Sequence, residues 1–239
     1  MFVKLLTGVL SPWQQRPIAW LPSQCRVCHA WPSHPVCEDC VNQFAQPQAR
    51  CFTCALPLPA GLRQCGACLG NPPPLDQCQA AVGYGYPWSR LIQDFKFHAE
   101  PGLVRTFATL LRATPWVEPM IDSADLLLPI PLSAQRLRQR GYNQALLLAR
   151  QLNARKTRAD LLLRIKDTPA QHSLKRQQRL TVLVDAFAVE PLRLAAIQHK
   201  RVLLVDDVMT TGASLHAAAR TLKAAGASLV SALVIARTA

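Results

Sequence analysis

Eight of the nine cysteines in this chain form four C-x-x-C pairs: Cys25/Cys28, Cys37/Cys40, Cys51/Cys54 and Cys65/Cys68, separated by 8, 10 and 10 residues. No other feature restricts the fold as much. A C-x-x-C knuckle presents two thiolates on one tight turn, and two knuckles complete a closed tetrahedral Zn²⁺ site with no position open to water. Eight thiolates at four per ion predict about two structural zinc ions. Sequential grouping, 25/28/37/40 then 51/54/65/68, fits the spacing as two successive ribbons; interleaved grouping stays open. Disulfides would need an oxidising compartment. A redox C-x-x-C normally occurs once, at a helix start after a strand, and iron–sulfur ligands are usually spaced less regularly. Cys78 has no partner in the pattern and reads as a small buried apolar residue. His29 and His34 lie among the knuckles as bystanders, since eight cysteines already suffice.

The cysteines also mark a boundary. All nine lie in residues 25–78, and twelve of the nineteen prolines precede residue 88. Residues 1–80 carry five Lys/Arg and three Asp/Glu; residues 81–239 carry 22 and 11. A small Cys- and Pro-rich head, residues 20–72, therefore precedes a basic, Leu/Ala-rich body, residues 78–239. The Pro-rich run 71–75 is the natural linker. So small a head is expected to be held together by its metal. The formal net charge of +13 favours phosphate-bearing partners. No apolar run approaches the ~18 residues of a membrane span. The N-terminal apolar stretch is short, interrupted by Thr7 and Gly8, and followed by no small-residue cleavage site, so a cytoplasmic location is expected.

The body alternates strands with helices. Residues 80–86, 125–131, 161–165, 200–206 and 229–236 read as strands, and residues 88–98, 103–113, 143–152 and 213–225 as helices, the third capped by Asn143 and the last ended by Gly226. This alternation implies an α/β body with a parallel sheet. The sharpest motif is residues 202–214. An apolar strand ends in Asp206 and Asp207, and Thr210, Thr211, Gly212, Ala213 and Ser214 lead into a helix. Ligands of α/β sheets bind at the carboxyl ends of strands. A loop of small hydroxyl residues and Gly at a helix N-terminus suits a phosphate. A carboxylate beside a bound phosphate would repel it, but it can accept hydrogen bonds from sugar hydroxyls. The pattern thus describes a ribose 5-phosphate. A Walker-B-like Mg²⁺ site is the competing reading, and no G-x-x-x-x-G-K-[ST] accompanies it.

Residues 202–214 resemble the signature of type I phosphoribosyltransferases that binds 5-phosphoribosyl 1-pyrophosphate (PRPP). With four C-x-x-C pairs ahead of it, the chain resembles the ComF family, also named GntX or ComFC: competence or DNA-utilisation proteins with a double zinc ribbon and a phosphoribosyltransferase domain. Residues 66–74, Leu91 to Phe97, Pro129 to Leu132 with Arg138-Gln-Arg-Gly-Tyr-Asn-Gln144, and Thr168, Gln171, Leu174, Arg179 and Phe187 resemble further family blocks. Where that last block carries Asn before its Phe, Val182 or Leu183 stands here.

The resemblance implies a fold of double zinc ribbon plus type I phosphoribosyltransferase-like sheet. It places the 5′-phosphate of PRPP on residues 210–214, the ribose hydroxyls on Asp206 and Asp207, and Mg²⁺ between those hydroxyls and the pyrophosphate. The pyrophosphate needs cations. Residues 136–179 hold twelve Lys/Arg and two acids, a run that could also be a solvated face or track a DNA backbone. Arg136, Arg138 and Arg140 follow a strand end and are the candidates for pyrophosphate. Lys175, Arg176 and Arg179 fall where a mobile loop over the site would lie, and Arg155, Lys156 and Arg158 are left for nucleic acid or solvent. Tyr84, Tyr86 and Trp88 are candidates for stacking an acceptor or for core packing. Three functions remain open: a PRPP-binding protein of DNA uptake or utilisation, with single-stranded DNA or competence proteins as partners; a true phosphoribosyltransferase of nucleotide metabolism with an unidentified acceptor; and a DNA-binding zinc module with a ligand-sensing domain.

Overall fold

A computed structural model describes residues 23–165 and 186–239 of the chain. Its strands are β1 (Gln77–Gly83), β2 (Leu126–Pro129), β3 (Leu162–Arg164), β4 (Phe187–Val189), β5 (Arg201–Met209) and β6 (Leu229–Arg237). Its helices are α1 (Glu38–Phe44), α2 (Gly66–Gly70), α3 (Trp88–Phe97), α4 (Leu103–Arg112), α5 (Val117–Ser123), α6 (Ala134–Arg140), α7 (Gln144–Asn153) and α8 (Ala213–Ala224). β1, β6, β5 and β2 form, in that order, one parallel sheet. β5 and β6 are central and buried along most of their length, which explains their nearly unbroken apolar runs.

The sheet separates two cores. Leu203, Val205, Leu233 and Ile235 face α3, α4, α5 and α7 on one side. Val202, Leu204, Ala232 and Val234 face α8 and Phe187 of β4 on the other. The Cys-rich head contributes to both. Cys25 and Cys40 belong to the first core, and Cys51, Cys54, Cys65 and Cys68 to the second. The head thus straddles the edge strand β1, where the Cys78 N–H donates to the Phe52 carbonyl at 2.9 Å. That bond covers one backbone group of an otherwise open sheet edge. Cys78 itself is buried, with its sulfur 3.7 Å from that of Met209.

Several expectations shift. β1 starts three residues early and stops at Gly83. β5 continues past both acids to Met209, because Val208 and Met209 stay in register with Ala236 and Arg237. The 161–165 run gives β3, which pairs antiparallel with β4 outside the main sheet. The helices α5 and α6 were not expected. α6 buries none of its residues, so no apolar face announces it; Ser133 caps its start and Gly141, at φ +77°, ends it. Among the described residues, no helix is long and apolar enough to cross a membrane.

Candidate functional site

The eight paired cysteines form two groups, 25/28/37/40 and 51/54/65/68, and in each group the sulfurs lie within 4.8 Å of one another. Sequential grouping is therefore the observed one. The Sγ–Sγ distances are 3.9 Å for Cys25–Cys40, 3.6 Å for Cys28–Cys37 and 3.7 Å for Cys54–Cys65. A tetrahedral zinc with Zn–S of about 2.3 Å sets its sulfurs about 3.8 Å apart, so both groups fit the ion. The two groups repeat each other in backbone as well. His29 and Ala55, each four residues after a first cysteine, adopt φ of 62° and 56°. The Cys37 N–H points at the Cys25 sulfur and the Cys65 N–H at that of Cys51, both at 3.4 Å. Burial opposes the charge on Cys25 and Cys51, but backbone N–H groups outweigh it and bring the two thiols down to about 6 and about 7. These N–H groups favour the thiolate forms that a metal ion requires.

The second site lies at the carboxyl end of the sheet. Asp206 and Asp207 lie near the carboxyl end of β5, which stops two residues later at Met209, and Asp207 is buried. Lys96, at the end of α3, places its Nζ 2.8 Å from Asp207 Oδ1. Burial, and next the adjacent Asp207 carboxylate, push the Asp206 pKa up to about 7; Lys96 and Arg140 oppose the rise. Arg140 is half-buried and close enough to feel both acids. Its guanidinium stacks 4.8 Å from the Phe97 ring centroid and donates to Gln144 Oε1 at 3.2 Å.

Residues 140–144 are the device that assembles this end of the site. Gln144 is buried; its Nε2 donates to the Lys96 carbonyl at 3.3 Å while its Oε1 holds Arg140. The Tyr142 hydroxyl donates to the Phe95 carbonyl. Asn143 caps α7 through Leu146 N–H and donates to the Ile130 carbonyl at 3.0 Å. One buried amide thereby ties the Arg140 guanidinium to the backbone of Lys96, whose ammonium is held by Asp207.

On the other side of the acids, Thr210, Thr211 and Gly212 lead into α8. The first amides of a helix have no partner within it, and here they surround a loop of hydroxyl residues. Gly212 has φ +78°, and a Cβ there would lie 2.5 Å from Met209 Cε and 2.8 Å from His216 Cε1. Only glycine meets both conditions. His216 packs beneath the loop; burial, then Arg220 and Arg237, lower its pKa to about 4, so the ring is neutral at pH 7.

The structure therefore brings together Asp206, Asp207, residues 210–214 and Arg140. Arg136 shares the face of α6 with Arg140, one turn away, whereas Arg138 is exposed two residues along and faces elsewhere. Lys175, Arg176 and Arg179 lie outside the described residues. Lys156 is engaged by the Ile121 and Asp122 carbonyls, and Arg158 makes a two-point bond to Asp160; Arg155 is exposed. Trp88 is a core residue, Tyr84 is half-buried and Tyr86 is 68% exposed. Sequence reasoning missed Lys96 and Gln144, although both stand in blocks quoted above for their resemblance.

Residues 138–239 match the family model of the phosphoribosyl transferase domain. The DNA utilization protein YhgH of Salmonella typhimurium is 29% identical over 232 residues, covering 92% of this chain and 97% of that protein. Competence protein F of Haemophilus influenzae is 32% identical over 197 residues, covering 80% and 85%. The chain belongs to the ComF family. Competence protein ComFC of Bacillus subtilis, 28% identical over 155 residues, covers 62% of the chain and 58% of itself. This ComF protein thus joins a phosphoribosyltransferase-like sheet to two groups of four cysteines able to hold zinc.

Proposed function

We propose that this ComF protein binds PRPP with Mg²⁺ and acts in the uptake or utilisation of DNA. The observation that carries the ligand is the arrangement around β5: two acids with Lys96 and Arg140 on one side and the 210–214 loop on the other. A 5′-phosphate suits the loop amides, the ribose hydroxyls suit the two carboxylates, and the pyrophosphate suits Lys96, Arg140 and Arg136. Lys96 partners Asp207 before ligand arrives, which lowers the cost of holding two adjacent carboxylates in a half-buried site. Mg²⁺, when bound, would add charge neutralisation for the departing pyrophosphate, the main demand of transfer at C1. Gln144 orients Arg140 and Asp207 orients the Lys96 ammonium, so part of the ordering cost of binding is met in advance. The DNA role is supported by relatives named for DNA utilisation and competence. Residues 81–239 carry 22 Lys and Arg against 11 Asp and Glu.

Titration calorimetry of PRPP with and without Mg²⁺ tests the reading. Asp206→Ala and Asp207→Ala are each expected to weaken binding tenfold or more, about 1.4 kcal/mol. Wild-type protein that takes up no PRPP at millimolar concentration with Mg²⁺, or alanine variants that bind as well as wild type, would overturn it. Pyrophosphate release on addition of a nucleobase or amine would identify a transferase; tight binding without release would identify a sensor.

A further inference from the structure

Arg237, the last residue of β6, is buried, and among the described residues no carboxylate pairs with it. Backbone carbonyls from two distant parts of the chain, with the Thr238 hydroxyl, receive its donors instead. Nε donates to the Cys54 carbonyl at 3.0 Å, in the first C-x-x-C knuckle of the second cluster. Nη1 donates to the carbonyls of Met209 and Thr210, at the start of the phosphate loop, and to that of Thr238. A planar guanidinium with fixed donor directions makes this a rigid bridge between a thiolate cluster and the loop.

We propose that Arg237 is a positioning residue that makes the second thiolate cluster part of the support of the phosphate loop; the inference rests on the reading of residues 210–214 as that loop. Peptide planarity supplies the mechanism. Holding the Thr210 carbonyl on the ribbon side turns the Thr211 N–H of the same trans peptide the opposite way, away from the ribbon. Packing joins ribbon and loop only in part. A cavity of about 1270 Å³ lies between ribbon and loop, lined by Cys65, Cys68, Pro73, Thr210, Thr211 and His216 among others. The second cluster also answers the charge. Zinc with four thiolates carries a net charge of about −2, and two arginines reach the backbone of this cluster's knuckle, Arg237 at the Cys54 carbonyl and Arg50 at the Ala55 carbonyl at 3.1 Å. Metal bound to Cys54 fixes that residue's backbone, so the carbonyl that orients Arg237 is fixed with it. The first cluster has no corresponding arginine bridge among the described residues.

Amide hydrogen exchange, zinc content by mass spectrometry and PRPP titration, read together on the full chain, test the proposal. Arg237→Met should keep about two zinc ions per chain, exchange its 211–214 amides at least tenfold faster, and bind PRPP about tenfold more weakly. Arg237→Lys should recover part of both. Should Arg237→Met fail to fold, Cys68→Ser and Cys28→Ser replace it: each removes one zinc, and only the former should speed exchange in the loop beyond any rise in the β5 amides, which report general destabilisation. Wild-type exchange at 211–214 in Arg237→Met, or equal acceleration by the two cysteine variants, would overturn the inference. Failure of wild-type protein to bind PRPP would overturn the ligand reading alone, because loop exchange in the ligand-free chain still reports the bridge.

Discussion

The two cysteine groups are near repeats in sequence and backbone, yet the protein treats them differently. In the first, Cys28 is exposed and Cys37 half-buried. Its ribbon meets the body through Val36, Cys25 and Cys40, through a Trp88 Nε1 bond to the Phe44 carbonyl at 2.7 Å, and through an exposed Arg26–Glu100 pair. In the second, all four cysteines are buried in the same core as α8 and β6. One motif, used twice, thus forms a covering piece on one face of the sheet and a core component on the other. Zinc-ribbon spacing specifies a local fold; what the ribbon does depends on which surface it buries.

The largest expected effect is the difference between the two. Cys51→Ser, which leaves a polar group and an incomplete site inside the core, should cost about 3 kcal/mol or more and lower the melting point of the whole chain. Cys28→Ser should release one zinc but leave the main transition within a few degrees of wild type. Equal melting points for the two variants would erase the distinction. Next in size is Gly212→Ala, on the face of the second ribbon. Positive φ and the contacts with Met209 and His216 together should cost about 2 kcal/mol and abolish tight PRPP binding, measured by thermal melt and calorimetry. On the other face, Trp88→Phe removes one hydrogen bond and leaves the Phe44 carbonyl unpaired, which should cost about 1.5 kcal/mol in chemical denaturation without changing PRPP affinity. A loss of affinity there would show that the first ribbon also supports the site, through α3 and Lys96.

How much of this was legible follows from where the information lies. The C-x-x-C pairs and residues 202–214 are local, so spacing alone gave the eight candidate ligands and the loop, while the grouping of the pairs into two sites needed the structure. Lys96 was not legible as a site residue. It stands on an amphipathic helix more than a hundred residues before Asp207, where a lysine reads as a solvent-facing position. Gln144 was hidden for a related reason: Arg140 is only four residues away, but its other partner, the Lys96 carbonyl, lies 48 residues earlier and reaches it only through the fold. α6 has no buried residue and so no periodicity to detect. β3 was visible as an apolar run, but its antiparallel partner β4 is three residues long and lies beyond residues 166–185. The burial of the second ribbon was unreadable because its interface consists of the cysteines themselves, Ala55 and Leu75 rather than an aliphatic stripe.

Asp206 lies between the two halves of the site and gives the smallest effect, separable by pH. Its pKa of about 7 stands above the ordinary value of 3.8, so folding favours the protonated form. Below about pH 4 the carboxyl is neutral in both folded and unfolded chains and contributes nothing to the difference. As pH rises toward 7 the unfolded chain ionises first and stability falls; above 7 the full cost of the buried charge is present. Asp206→Asn carries no such charge. It should match wild type near pH 4 and exceed it by about 1 kcal/mol or more at pH 8 in denaturant unfolding. The same change should weaken PRPP at pH 8, where wild type presents a carboxylate to the ribose, and wild-type affinity should itself rise between pH 6 and 8. A variant no more stable than wild type at pH 8 would mean that Lys96 and Arg140 already hold Asp206 ionised. The acid pair would then be a preformed anion rather than a site that gives up its proton on binding.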